Sequence, residues 1–100
     1  MAKITWTAQA ELWLRDIFDY ITLDNPAAAS RVVSGIYAKA QLLRDFPEIG
    51  YLYRKEPDGD ILILLYGHYR IAYLIKSPEN IDILGVFHGA LDINRLLTSL

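Results

Sequence analysis

The chain is 100 residues long, 53% hydrophobic and 22% charged, with a formal net charge of −2. That length supports one domain spanning residues 1–100, and the apolar content excludes a disordered segment. The absence of cysteine excludes disulfides and thiolate metal sites, and the slight negative charge argues against nucleic-acid binding by the chain as a whole.

The elements follow in chain order. Residues 2–6 alternate and favour a strand, with no apolar leader behind them. Thr7 is a good helix cap, and Ala10, Leu14, Ile17 and Ile21 then recur at the spacing of one helical face. Leu23-Asp24-Asn25-Pro26 breaks that helix and starts another, with Asn25 as cap and Pro26 in the first helical position. Val32, Ile36, Ala40 and Leu43 continue the second buried stripe until Phe46-Pro47 ends it. A connection this short between two amphipathic helices makes an antiparallel hairpin.

After Gly50 the period changes to that of strands. Residues 51–54 read as one strand, and Glu56-Pro57-Asp58-Gly59-Asp60 as a turn. Residues 61–66 form the longest apolar run, suited to a strand buried on both faces and far short of the roughly 20 residues that span a bilayer. Gly67-His68 connects to a strand at 69–75, and Ser77-Pro78-Glu79-Asn80 turns into another at 81–87. Residues 91–100, with Asp92 near their start, suit a short terminal helix. The expected fold is therefore α+β. An N-terminal strand and an antiparallel two-helix hairpin pack on one face of a 3–4-stranded antiparallel sheet, whose other face is left partly open. A soluble, cytoplasmic protein is expected.

Several segments together resemble the RelE/ParE toxin superfamily. They are Asp19-Tyr20-Ile21, Asp24-Asn25-Pro26-Ala27-Ala28-Ala29, Arg31, Phe46-Pro47-Glu48-Ile49-Gly50, Tyr69-Arg70-Ile71-Ala72-Tyr73 and Val86-Phe87-His88-Gly89-Ala90 with Asp92. The likeness runs from Trp6 to Leu96 in one unbroken order. It implies the toxin of a type II toxin–antitoxin pair, silenced by a cognate antitoxin whose extended segment wraps it. Two activities are known in the superfamily. RelE-like members cleave mRNA on the ribosome, and ParE-like members poison DNA gyrase.

A nuclease of this kind needs cations for the phosphorane-like transition state and a group that moves the 2′-OH proton. The resemblance assigns those roles to Arg70 and His88, with Arg54 as a further charge, while the strand at 61–65 carries no lysine. Strict alternation would put Arg70, Ala72, Leu74 and Lys76 on one face, and Asp82, Leu84, Val86 and His88 on one face of the last strand. Taken together as the open face, these residues are mostly apolar, which suits a protein partner better than a phosphate track. The candidate antitoxin- and target-binding residues are therefore Arg70, Leu74, Leu84, Val86 and His88, with Trp13 on the first helix as an aromatic anchor.

Structural readings stand beside these. Arg70 can pair with Asp82 or Asp92, His88 can bond to backbone at a strand end, Trp13 can extend the core, and Tyr69 and Tyr73 can serve packing. The leading expectation is a ParE-like toxin with gyrase as target. A ribosome-dependent mRNA interferase is the alternative, and a degenerate toxin serving only as a binding module a third. No cofactor and no metal site are expected, because phosphate-cradling glycine loops and metal-ligand clusters are absent from the sequence.

Overall fold

The computed structural model describes residues 1–88. The terminal helix predicted at 91–100, and with it Gly89, Ala90 and Asp92, lies outside the described residues. The elements are β1 (Lys3–Trp6), α1 (Ala8–Thr22), α2 (Pro26–Gln41), β2 (Tyr51–Glu56), β3 (Gly59–Tyr66), β4 (Tyr69–Ser77) and β5 (Asn80–His88). The strands form one five-stranded sheet in the order β1-β5-β4-β3-β2.

Both helix starts are held by the side chains that the sequence marks for it. The Thr7 hydroxyl accepts from the Ala10 amide at 3.1 Å and donates to the Ile83 carbonyl at 2.8 Å. One residue thus caps α1 and fastens it to β5. Asn25 Oδ1 accepts from the Ala28 amide at 3.1 Å, with Pro26 opening α2. The α-helical geometry stops at Gln41, earlier than the apolar stripe suggests. A single 3-10 turn, Leu42–Arg44, then buries Leu43 completely before the chain reaches Pro47.

β2 to β5 form the expected meander. The N-terminal strand does more than pack: it pairs in parallel with β5, Lys3 opposite Asn80 through Trp6 opposite Ile83. It therefore adds a fifth strand to the sheet. The pairing is parallel because the helix hairpin and the meander together form a long crossover between two strands that end up adjacent.

The hairpin face of the sheet carries the main core. Ala10 and Leu14 of α1 and Ile36 and Ala40 of α2 bury against Leu62, Leu64, Ile71, Tyr73, Ile81, Ile83 and Val86. Trp6 meets Tyr37 at a tilt of 53°, with ring centroids 4.5 Å apart. Tyr37 in turn donates to Glu11 Oε2 at 2.9 Å, and burial together with that carboxylate pushes its hydroxyl up to about 12. Gly35 of α2 has a packing reason, because a Cβ there would coincide with the Tyr66 hydroxyl of β3. The opposite face carries a second cluster of Ile61, Ile63, Ala72 and Phe87, flanked by Trp13, Tyr53, Leu74 and Leu84. It is less open than expected: Ile63 and Ala72 expose nothing, and exposure is concentrated at margins such as Tyr51 and Leu65.

Candidate functional site

The predicted site residues divide between the two faces of the sheet. In β4, alternation holds, and Arg70, Ala72 and Leu74 lie opposite Phe87, Gly85 and Asp82. In β5 it fails. The register steps from Ala72–Gly85 to Tyr73–Ile83, so Leu84 is the extra residue of a β-bulge. Before the bulge, Asp82 and Leu84 share Arg70's face, as expected. Beyond it the parity reverses, and Phe87 takes that face instead.

Two expectations are therefore corrected. Val86 is fully buried in the core under the helix hairpin. His88 follows it onto the hairpin side, opposite Tyr69 and with the two rings edge to face at 5.5 Å. Arg70 and His88 lie on opposite faces and do not converge. The cause is the extra residue Leu84; at Gly85 beside it a Cβ would sit 2.7 Å from the Phe87 ring, so the glycine leaves that ring its place. An isolated glycine within a strand pattern is a bulge signal, and Leu84-Gly85 carried it in the sequence.

Arg54 shares Arg70's face but stands well away from it. A second bulge, at Tyr53 in β2, sets Arg54 opposite Ile61, whose partner in β4 is Leu74. Four residues of β4 separate that row from Arg70, about 13 Å along the strand. Arg54 is also engaged in an ion pair with Glu56 through its Nε. Asp82 pairs with Lys76 at 3.3 Å and not with Arg70. Among the described residues, no salt bridge involves Arg70.

Trp13 meets Phe87 edge to face with centroids 5.1 Å apart. It ties α1 to the second-face cluster beyond the end of β1, which supports the packing reading of this residue. On the hairpin side, α1 and the ends of β4 and β5 leave a groove of about 410 Å³. It is lined by Trp13, Asp16, Ile17, Tyr20, Ile21, Tyr69, Val86 and His88. Burial, with Tyr20 nearby, raises the Tyr69 hydroxyl above its ordinary range. Asp16 was not singled out from the sequence, and Tyr20 entered only within the Asp19-Tyr20-Ile21 segment, since on a helix surface nothing distinguishes them from solvated residues.

Tyr73 also does more than pack. Its hydroxyl accepts from the Gly50 amide at 3.0 Å and donates to the Pro47 carbonyl at 2.8 Å. This clamp explains the Phe46-Pro47-Glu48-Ile49-Gly50 segment, which crosses from the helices to the sheet on that one side chain. Tyr73→Phe leaves two partly buried backbone groups without a partner, and should cost about 1–3 kcal/mol of stability in urea denaturation. An unchanged midpoint would remove the clamp from the fold's support.

The two-helix hairpin on a five-stranded, mostly antiparallel sheet matches the architecture of solved toxin–antitoxin structures. Residues 4–93 match the ParE toxin of the parDE type II toxin–antitoxin system. The chain is 34% identical over 87 residues to the candidate toxin Y4kP of Sinorhizobium fredii, covering 87% of this chain and 88% of that protein. Among solved structures, it is similar to a chain of the chromosomal ParDE system from P. aeruginosa. That likeness has a TM-score of 0.69 at 23% identity, over 88% of this chain and 96% of the other. It is also similar to a chain of the RelBE2 toxin–antitoxin complex from Mycobacterium tuberculosis. There the TM-score is 0.58 at 25% identity, over 87% and 96% of the two chains. The chain belongs to the ParE toxin family.

Proposed function

We propose that this toxin acts by binding DNA gyrase and is neutralised by a cognate antitoxin in the cytoplasm. One observation carries the choice of gyrase over mRNA: the three residues a ribonuclease would need are not assembled. His88 lies across the sheet from Arg70, and Arg54 is rows away and held by Glu56. Transition-state stabilisation requires donors converging on one phosphate. On the described part of this face the cations do not converge: Arg70 stands among apolar side chains, while Arg54 and Lys76 are each held by a carboxylate.

The proposed contact surface is Arg70 with Leu74 and Leu84, bordered by the exposed Leu65. Arginine is enriched at protein-binding hot spots, and near-neutral contacts around such a residue serve to exclude water. Val86 supports that surface from the hairpin face, Trp13 packs on Phe87 at its edge, and His88 lies outside it. Expression without the antitoxin distinguishes the targets. Induction of the DNA-damage response before any fall in protein synthesis is expected, whereas translation arrest first, with cleaved mRNA, would overturn the gyrase reading.

A further inference from the structure

The chain has two histidines, and the fold sets them side by side. His68 sits in the turn between β3 and β4, and His88 at the end of β5, opposite Tyr69. Their ring centroids are 6.2 Å apart with an interplanar angle of 31°. Both residues are exposed, so ligation costs little desolvation. The Tyr69 ring, edge to face with His88, restricts where that imidazole points.

We infer that His68 and His88 form a two-imidazole site for a first-row divalent cation of the Zn²⁺, Ni²⁺ or Cu²⁺ class. Imidazole nitrogens bind such ions at about 2.0–2.1 Å, which places two ring centroids about 5 Å apart on one tetrahedral ion. Closing from 6.2 Å needs a movement of about 1 Å. Rotation of the exposed His68 side chain, which sits in a turn, can supply it. Ligand softness sets the class of ion, since imidazole suits Zn²⁺, Ni²⁺ and Cu²⁺ and leaves Mg²⁺ and Ca²⁺ to oxygen ligands.

Among the described residues, no three metal-ligating side chains converge. In this proposal water fills the remaining coordination positions. Asp16, on the same groove as His88, adds negative potential nearby. A cation bound here would join the β3–β4 turn to the end of β5 and stabilise the folded chain by mass action. Sequence spacing alone did not show the pair, because one member lies in a turn and the other at the end of a later strand.

Calorimetric titration of the tag-free chain with ZnCl₂ and NiCl₂, alongside MgCl₂, tests the site. One equivalent of Zn²⁺ or Ni²⁺ should bind, with no heat from Mg²⁺. Binding should be lost in both His68→Gln and His88→Gln, with their circular dichroism unchanged. A paramagnetic resonance spectrum of the wild-type chain with Cu²⁺ should show two imidazole nitrogens. Absence of Zn²⁺ and Ni²⁺ binding, its retention in either variant, or a spectrum with one imidazole nitrogen would overturn the proposal.

Discussion

Replacing Phe87 by alanine is expected to lower the free energy of unfolding by about 3–5 kcal/mol. The ring is 2% exposed, lies over Gly85 and meets Trp13 edge to face. Its removal leaves a cavity in the smaller of the two apolar clusters, which has few residues able to close it. Domains of this kind have about 5–15 kcal/mol of stability in total. The variant would therefore be partly unfolded well below the wild-type midpoint in guanidinium. A double-mutant cycle with Trp13→Ala should give a coupling of about 0.5–1.5 kcal/mol. A loss below about 1 kcal/mol for Phe87→Ala, on the scale of a surface change, would mean that the bulged end of β5 carries little of the fold.

The second large effect concerns function, and it separates the two faces. Arg70→Ala should weaken gyrase inhibition about 10- to 100-fold, the loss of a central interface arginine worth about 1.4–2.7 kcal/mol. His88→Ala, on the hairpin side, should change it less than about threefold. Both values come from the concentration of toxin that halves supercoiling. On the nuclease reading the two residues would serve one reaction, and each loss would be large and non-additive with the other. Equal, non-additive losses would therefore contradict the division of faces.

Much of this fold was legible because local chemistry and tertiary structure agree. Thr7 and Asn25-Pro26 begin helices in sequence and in structure, and Gly67-His68 and Ser77 to Asn80 mark hairpin turns that form. The place of β1 was harder to read. Four alternating residues say that a strand exists, but not which edge of the sheet receives it. That choice is made by residues far along the chain, where Lys3 to Trp6 pair with Asn80 to Ile83 and Thr7 bonds to the Ile83 carbonyl.

The candidate site was legible as a set of residues and not as an arrangement. Alternation is reliable only while the register is unbroken, and one extra residue at Leu84 moved Val86 and His88 to the other face. The charges were hidden for a related reason. Arg54 and Lys76 look available in a sequence, yet each has a carboxylate neighbour in the sheet, Glu56 and Asp82. What remained visible throughout was Arg70 on an apolar strand, and the proposed binding surface is built on it.

Gyrase as the target is tested most directly by a supercoiling assay with purified toxin and gyrase. Inhibition with trapped double-strand cleavage, relieved when the cognate antitoxin is added, is the predicted result. Uninhibited supercoiling at saturating toxin, alongside mRNA cleavage by the same preparation in a translating extract, would contradict it.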